Sequence, residues 1–300
     1  MKILITGGNG LIGGRLSEYL CLNHNVTVSS RSEYKTVNNI KIVHNSELLN
    51  ELSYGYDAVI HAAGPNSSQC NDQLICDEYI DYSTNLINAC ITNNIQKFIF
   101  TSSTRIYGKS PIGTINEQTN LVEDDNYSKV KIEIEHRLRS MCASEQIQSY
   151  VLRISNGYGY PIHNETNCWD LLLMYACKEA IINKKISLRS NGREYKDFIP
   201  VSFIVRTIEK CLIQSNSNNH LIYNIVSGKP ITVKKIVKYL VDKIETRTGQ
   251  KINFSTSPEQ NKFHKFNIDT QYRDSVSKDE INRELDCLID YCLKNFRSLN

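Results

Sequence analysis

Long apolar runs and a strong net charge are both missing from this sequence. The apolar residues at the N-terminus end within five positions of Met1, too few for the hydrophobic region of a secretory signal, and no uninterrupted apolar stretch approaches the length that crosses a bilayer. The formal charge is only +3, and no dense Lys/Arg block with interleaved aromatic residues occurs. We therefore expect a cytoplasmic protein that binds neither membranes nor nucleic acid.

Metal-ligand spacing is missing as well. The ten cysteines are scattered, and none of them forms a CxxC pair. We expect no metal site and interpret the cysteines as small buried thiols of a reducing compartment, with a disulfide set in an exported protein as the alternative. No internal repeat or low-complexity linker interrupts the 300 residues, of which 40% are hydrophobic and 22% charged, as is typical of a globular enzyme.

The N-terminal stretch predicts a strand, a glycine turn and a helix. The run from Lys2 to Thr6 is β-branched and aliphatic, and it ends at Gly7. Two further glycines follow at three-residue spacing, Gly10 and Gly13. Gly7 can take the positive φ of a tight turn, Gly10 would let a diphosphate approach bare backbone, and Gly13 would let the helix lie close to the strand. The pattern predicts a dinucleotide site.

The start of the predicted helix completes this site. Its first N–H groups, including those of Leu11 and Ile12, have no partner within the helix and would face the diphosphate together with the positive end of the helix dipole. A glycine triplet alone also describes an ordinary flexible turn. The strand before it and the helix after it favour the dinucleotide site.

The end of the second predicted strand, Asn25 to Ser29, bears on which dinucleotide binds. An acidic side chain there would accept a hydrogen bond from the ribose 2′-hydroxyl of NAD and would repel a 2′-phosphate. This chain instead continues with Ser30 and Arg31, and hydroxyls with a guanidinium can bind such a phosphate. We therefore predict NADP, with NAD as the alternative if Arg31 is only a solvated cation stacked on the adenine.

A later strand is predicted to pass close to the cofactor. Asp57 to Ala63 is a buried apolar run, and ligands in such sheets lie beyond the carboxyl ends of the strands. The small residues Ala62 and Ala63 at its end suit a close passage of the cofactor. We interpret His61, within the same run, as a core residue whose ring nitrogens are satisfied.

A hydroxyl-rich strand end and a Tyr-x-x-x-Lys pair supply the candidate acid/base residues. The apolar run from Lys97 to Ser103 would direct Ser103 and Thr104 toward the glycine turn. Tyr127 and Lys131 follow in a predicted helix, where residues four apart share one face. A fixed ammonium favours phenolate, so we expect Lys131 to lower the pKa of Tyr127. The alternative is an exposed tyrosine with a solvated lysine, which the nearby hydroxyls and the glycine turn disfavour.

These segments resemble the extended short-chain dehydrogenase/reductases of the NAD(P)-dependent epimerase/dehydratase family, which act mostly on nucleotide sugars. The resemblance follows the family's order over most of the chain. It is carried by TGGNGLIG at Thr6–Gly13, DAVIHAA at Asp57–Ala63, FTSSTRIYG at Phe100–Gly108, YSKVK at Tyr127–Lys131, LRISNGYG at Leu152–Gly159, GREYKDFIPV at Gly192–Val201 and YNIVSGKPITVKKI at Tyr223–Ile236.

The resemblance implies a mechanism in which hydride passes between the nicotinamide and a keto carbon. Ser103 would orient the substrate, Tyr127 would act as the acid/base, and Lys131 would tune the tyrosine and hold the nicotinamide ribose. Ser103 and Tyr127 would polarise the carbonyl before the transfer.

The resemblance also implies how the substrate is held. Thr104 would lie beside the sugar, and Asn156 would lie by the substrate's diphosphate. The family's diphosphate-binding arginine is Lys196 here, which keeps the charge and loses the planar fork. The contact would therefore be looser or shared with Arg193.

Departures from the family pattern narrow the chemistry. Family members that remove water across C4, C5 and C6 of a hexose carry an Asp-Glu pair just after the catalytic hydroxyl, where this chain has Thr104 and Arg105. We therefore do not expect a 4,6-dehydratase. Arg31 favours a cofactor that cells keep reduced, which predicts net reduction.

We predict an α/β fold, a Rossmann-type doubly wound parallel sheet with a smaller C-terminal substrate-binding lobe. The nucleotide-binding domain would comprise residues 1–159 with 202–226, and the lobe residues 160–201 with 227–300. The resemblance further implies a homodimer formed through the helices predicted at residues 77–93 and 125–144.

The predicted function is NADP-dependent reduction of a nucleotide-linked 4-keto or 4-keto-6-deoxy sugar for surface polysaccharide. The runner-up is a nucleotide-sugar 4-epimerase that retains tightly bound NAD and uses the same three residues in both directions. A cofactor-binding scaffold without turnover is disfavoured, because a mere binder needs no tuned phenol.

Overall fold

The structure is a computed structural model that describes residues 1–31, 40–142, 147–214, 218–258 and 263–296. Within them the chain forms fifteen strands and eight α-helices. The strands are β1 (Lys2–Thr6), β2 (Asn25–Ser30), β3 (Lys41–His44), β4 (Ala58–His61), β5 (Lys97–Ser103), β6 (Gly113–Ile115), β7 (Gln148–Ile154), β8 (Asn156–Tyr158), β9 (Lys185–Leu188), β10 (Tyr195–Lys196), β11 (Phe198–Pro200), β12 (His220–Ile225), β13 (Ile231–Thr232), β14 (Asn253–Thr256) and β15 (Phe266–Ile268).

The helices are interspersed among the strands along the described chain. They are α1 (Leu11–Leu20), α2 (Leu48–Glu51), α3 (Gln73–Thr92), α4 (Asn126–Cys142), α5 (Leu172–Asn183), α6 (Val201–Ile213), α7 (Val233–Thr248) and α8 (Lys278–Phe296).

Seven of the strands form one parallel sheet in the order β12-β7-β5-β4-β1-β2-β3. The chain runs outward from β1 to β3 and then returns to β4 on the other side of β1. This reversal opens a crevice at the carboxyl ends of β1 and β4, where ligands bind in sheets of this kind. The predicted α/β fold of Rossmann type is confirmed.

The two faces of the sheet carry separate hydrophobic clusters. Alternate residues of β1 show this, because Ile3 and Ile5 pack with α1 and α6, whereas Leu4 packs with α3 and α4. All three are fully buried. Because successive side chains of a strand point to opposite faces, β1 packs against helices on both sides of the sheet.

A further hydrophobic cluster lies outside the central sheet. It joins α5, α7 and α8, with Met174, Leu240 and Leu288 fully buried among them. Short strand pairs surround this cluster, including β9 with β14 and β10 with β13. The predicted division of the chain into two domains stays a prediction.

Some element boundaries differ from the predicted ones. The helix predicted from residue 77 begins at Gln73, because the Asp72 carboxylate caps it by accepting from the Leu74 N–H at 3.0 Å. Residues 143–146, which include the end of the helix predicted at residues 125–144, lie outside the described residues.

The ten cysteines all lie in the described part of the chain and form no disulfide, and eight of them are buried. Across residues 1–31, 40–142, 147–214, 218–258 and 263–296, no helix combines the length and apolar character needed to cross a bilayer. The same residues contain no group of three or more His, Cys, Asp or Glu side chains placed to hold a metal ion.

Candidate functional site

The turn after β1 is built from backbone contacts that leave no room for side chains. Gly7 has a φ of +74°, and a Cβ there would lie 2.8 Å from backbone atoms of Ala63. A Cβ on Gly13 would lie 2.2 Å from the carbonyl oxygen of Gly7. The predicted turn conformation at Gly7 and the close packing at Gly13 are confirmed, and their part in binding a dinucleotide stays a prediction.

The beginning of α1 lies at the wall of a cavity. Gly10 precedes the helix without a side-chain cap, and the first turn has no acidic residue. Gly10, Leu11 and Ile12 line the cavity together with Ala62 and Ala63. A helix N-terminus of this kind supplies backbone donors and a positive dipole end, so an anionic diphosphate fits here.

The end of β2 lies beside the glycine turn. The Ser29 carbonyl accepts hydrogen bonds from the N–H groups of Gly7 and Gly8 at 3.1 and 3.2 Å. Ser30 is buried, and Arg31 directly after it is exposed. The residues predicted to bind a 2′-phosphate therefore lie next to the turn, although they do not line the cavity itself.

One cavity of about 460 Å³ brings most of the predicted site residues together, and this volume suits a small-molecule ligand. The predicted residues that line it are Gly10, Leu11, Ile12, Ala62, Ala63, Ser103, Thr104, Tyr127, Lys131, Asn156 and Lys196. The cavity is thus lined by residues of the turn after β1, the ends of β4 and β5, β8, α4 and β10.

The three candidate catalytic residues come from two elements. Ser103 ends β5, and its Oγ accepts from the Arg105 N–H at 3.2 Å. Tyr127 and Lys131 lie one turn apart on α4, with Lys131 Nζ 5.8 Å from the centre of the Tyr127 ring. The predicted sharing of one helix face is confirmed.

Burial is the main influence on the pKa values of Lys131 and Tyr127. Desolvation lowers the pKa of Lys131 to about 8. Desolvation also raises the pKa of Tyr127, and a side-chain hydrogen bond with Ser103 offsets only part of that rise. The pKa of Tyr127 is therefore raised, and not lowered as the neighbouring Lys131 led us to expect, because burial of the phenolate outweighs the nearby charges.

Lys131 is held by contacts with neighbouring residues that the sequence patterns did not identify. Its Nζ donates to the Thr101 carbonyl at 3.1 Å and lies 4.9 Å from the centre of the Phe100 ring. A Cβ on Gly64 would lie 2.9 Å from Tyr79 Oη and 3.4 Å from Lys131 Nζ. Gly64 therefore keeps the space next to the ammonium open.

The interpretation of His61 as a core residue is confirmed. The ring is fully buried, with Nδ1 2.7 Å from Thr6 Oγ1 and Nε2 3.0 Å from Ser83 Oγ. Burial lowers the pKa of His61 to about 3, so the ring is neutral at physiological pH.

The opposite wall of the cavity is organised by Asp197. This buried carboxylate accepts from Ser155 Oγ at 2.7 Å and from the Ser227 N–H at 2.8 Å, while its backbone carbonyl accepts from Asn156 Nδ2 at 2.8 Å. Burial lowers the pKa of the neighbouring Lys196, and the charge of Arg105 lowers it further. Two cations therefore act on this part of the cavity.

The structure does not bring Arg193 into the site. Its side chain is exposed in the turn before β10, and its N–H donates to Asn191 Oδ1 at 2.9 Å. The cation that lines the cavity near Lys196 is Arg105. The predicted sharing of the diphosphate contact by Arg193 thus has no geometric support, because the turn carries that residue to the surface.

The sequence was compared with models of known protein families. The model described as the NAD dependent epimerase/dehydratase family matches residues 3–226. The match covers the whole central sheet and the segments that line the cavity up to β12.

Curated relatives with different activities match the chain. It is 26% identical over 277 residues to the dTDP-D-glucose 4,6-dehydratase of Dictyostelium discoideum, covering 80% of this chain and 62% of that protein. It is 27% identical over 267 residues to a dTDP-4-dehydro-6-deoxyglucose reductase of Escherichia coli, covering 82% of each. Proteins named as UDP-glucose epimerases are also among the relatives.

The fold is shared with solved structures. A UDP-N-acetylglucosamine 4-epimerase from Methanobrevibacter ruminantium M1, in complex with UDP-N-acetylmuramic acid, superimposes with a TM-score of 0.82 over 98% of both chains at 23% identity. Likeness at this level of identity is a likeness of fold.

Proposed function

The chain belongs to the NAD dependent epimerase/dehydratase family, and from this membership we propose that it is an NADP-dependent reductase of a nucleotide-linked 4-keto-6-deoxy sugar. The observation that carries the proposal is the meeting of Ser103, Tyr127 and Lys131 in the cavity that begins at the glycine turn. The relative of 27% identity named dTDP-4-dehydro-6-deoxyglucose reductase supports the same reaction. The product would be a deoxysugar donor for surface polysaccharide.

The glycine turn and the start of α1 fit a nicotinamide dinucleotide. A side chain at Gly7 or Gly13 would clash with the backbone of Ala63 or of Gly7 and distort the turn. The turn thus brings α1 close to the sheet, and α1 offers its N-terminus to a diphosphate. Ser30 and Arg31 would hold a 2′-phosphate, which favours NADP over NAD. When bound there, the reduced cofactor supplies a hydride to the carbonyl carbon.

The protein's own residues handle the proton. Tyr127 would donate its phenolic proton to the carbonyl oxygen as the negative charge develops there, and Ser103 would donate a second hydrogen bond. The raised pKa of Tyr127 keeps the phenol protonated at neutral pH, which is the form a reduction needs. Lys131, charged below about pH 8, would stabilise the phenolate that forms.

The wall with Asn156 and Lys196 would hold the nucleotide end of the substrate. Lys196 supplies a cation for the diphosphate, and Asn156, tied to the Asp197 carbonyl, supplies a fixed amide. The buried Asp197 carboxylate fixes this wall through Ser155 and Ser227.

Absorbance of the reduced nicotinamide tests the reaction. We expect stoichiometric loss of NADPH on addition of a 4-keto-6-deoxy nucleotide sugar, and no loss with the corresponding 4-hydroxy sugar. Absence of NADPH oxidation with dTDP- and UDP-linked 4-keto sugars, under conditions where NADPH binds, would reject the reductase.

A nucleotide-sugar 4-epimerase is the second candidate. The UDP-glucose epimerases among the relatives favour it. An epimerase begins by taking a proton from the sugar hydroxyl, a step that the raised pKa of Tyr127 disfavours. The two candidates are distinguished by the dinucleotide that copurifies, since an epimerase would retain NAD and interconvert UDP-sugars without net change in absorbance.

We also propose a homodimer through α3 and α4. The exposed side of α3 carries Asp77, Glu78 and Asp81, and the exposed side of α4 carries Lys129. A two-fold axis that places α3 against α4 of the partner would bring these opposite charges together.

A further inference from the structure

Arg105 contacts both segments that supply the acid/base group. Its backbone N–H donates to Ser103 Oγ at 3.2 Å. Its NH2 group donates to Asp125 Oδ2 at 2.8 Å, across twenty residues of chain. One residue therefore links the end of β5 to the segment from which α4 begins.

Asp125 in turn fixes the start of α4. Its Oδ1 accepts from the Ser128 N–H at 2.9 Å, while its own N–H donates to Ser128 Oγ at 3.1 Å. This reciprocal pair is a helix cap, and it encloses Tyr127 in the first turn. The height and rotation of the phenol thus depend on where Asp125 is held.

The Arg105 side chain is suited to holding Asp125 in one position. The guanidinium is planar, about a third exposed, and its Nε is buried without an acceptor in the described structure. Lys109 Nζ lies 3.6 Å from Asp125 Oδ2 on the outer side. The Ser128 N–H and the charge of Arg105 lower the pKa of Asp125 against the opposing effect of burial, so the carboxylate stays ionised.

We propose that Arg105 is a positioning residue that holds Ser103 and, through Asp125, Tyr127 at the separation at which both reach one substrate oxygen. This role rests on the proposed function, because Ser103 and Tyr127 need a common substrate oxygen to which both donate. It gives a role to the residue that stands where dehydratases of this family carry a glutamate.

The proposal predicts opposite effects of the two partners on Tyr127. The groups that lie around this phenol are Ser103 at the end of β5, Lys131 on its own helix, Tyr79 on α3, Cys70 in the turn before α3, and the Arg105–Asp125 pair. Removing the positive charge of the pair raises the pKa of Tyr127, and removing the negative charge lowers it.

The experiment measures Tyr127 directly and does not require a substrate. Protein labelled with [13Cζ]tyrosine is titrated by NMR, and the signal missing from Tyr127→Phe identifies the residue. We expect the midpoint to rise by about 0.5 to 1 pH unit in Arg105→Ala and to fall by a similar amount in Asp125→Asn. Arg105→Lys keeps the charge and should give a midpoint closer to that of the wild type.

Turnover gives the second readout. With the sugar that the wild type reduces, Arg105→Ala should lose about 10- to 100-fold in kcat with little change in the KM for NADPH, because the reacting groups are misplaced and the cofactor site is untouched. Arg139→Ala is the matched control, since Arg139 is an exposed arginine of the same helix. It should leave both kcat and the Tyr127 midpoint unchanged.

The outcomes separate this proposal from the proposed function. An unchanged Tyr127 midpoint in both Arg105→Ala and Asp125→Asn overturns the positioning role, whatever the enzyme reduces. A wild type that oxidises NADPH with no 4-keto sugar rejects the reductase, while the NMR titration still decides the role of Arg105. A loss of thermal stability in Arg105→Ala with no shift in the midpoint means a purely structural residue, and it also overturns the proposal.

Discussion

Arg15 in α1 and Glu284 in α8 form an ion pair of 2.7 Å between elements that belong to different hydrophobic clusters. The side chains are 11% and 3% exposed, and the Arg15 guanidinium also lies 4.0 Å from the centre of the Tyr160 ring. The Glu284 carboxylate additionally accepts from the Ser202 N–H at 3.2 Å. The pair therefore joins the glycine-turn helix to the C-terminal helix.

Breaking this pair should destabilise the protein. We expect Glu284→Gln to lower the free energy of unfolding in urea by about 2 to 4 kcal/mol, because Arg15 would keep a poorly solvated charge without its counter-ion. Glu133→Gln, which breaks the half-exposed pair with Arg137, should cost less than about 0.5 kcal/mol. Equal losses in the two variants would show that burial of the Arg15 pair contributes nothing.

Tyr127→Phe should slow the reduction strongly without affecting cofactor affinity. Removal of the phenolic proton donor should lower kcat by about 10²- to 10⁴-fold, while the Kd for NADPH, measured by fluorescence, stays within about twofold. Tyr175→Phe is the control, because Tyr175 is exposed on α5. Full activity in Tyr127→Phe would assign the acid/base to another residue.

Arg31→Ala should change the choice of cofactor. Loss of a charge-assisted contact to the 2′-phosphate should raise the KM for NADPH by about 10- to 100-fold and leave the KM for NADH unchanged. Arg139→Ala removes an exposed arginine from α4 and should change neither value. An equal effect on NADPH and NADH would mean that Arg31 only stacks on the adenine.

Gly13→Ala should prevent cofactor binding or folding of the glycine turn. The added Cβ would lie 2.2 Å from the Gly7 carbonyl oxygen, closer than any real contact. Gly14→Ala is the matched change one residue later, where the nearest atom is 3.3 Å away. Calorimetric titration with NADPH should therefore show binding to the Gly14 variant and none to the Gly13 variant, and equal affinities would refute the close approach.

The pH profile should report Lys131. Since burial lowers its pKa to about 8, the ammonium is present below that pH and is lost above it. We expect kcat/KM for reduction to be level from about pH 6 to 7.5 and to fall above about pH 8.

The same lowered pKa of Lys131 means that the buried ammonium destabilises the folded protein at neutral pH. The variant Lys131→Met should therefore be inactive and yet unfold at a higher temperature than the wild type.

The sequence predicted those parts of the site that depend on local patterns. Gly7 and Gly13 lie within one short segment that follows a strand and opens a helix, so this segment alone predicts the turn. Tyr127 and Lys131 are four residues apart, and this spacing predicts that they share one helix face. Arg105 could not be assigned in this way, because its partner Asp125 lies twenty residues further along the chain. The contacts that Asp197 makes with Ser155 and Ser227 span still longer stretches of chain, 42 and 30 residues.

The sign of the Tyr127 pKa shift illustrates the limit of such reasoning. The sequence supplies a nearby cation in Lys131, but the outcome depends on how tightly Phe100, Tyr79 and Cys70 enclose the two groups. Packing that tight is a property of the folded chain, since those three residues come from three separate segments.

The buried cysteines described with the fold can be used to measure how often the folded chain opens locally. Eight of the ten thiols lie beneath packed side chains, distributed over α3, α4, α5, α6 and α8 and the loops next to α3 and α5. A chromogenic disulfide reagent can reach each of them only while its surroundings are transiently open. The slow phase of colour development, after the partly exposed Cys21 and Cys287 have reacted, therefore reports local openings under native conditions, with no label added to the protein.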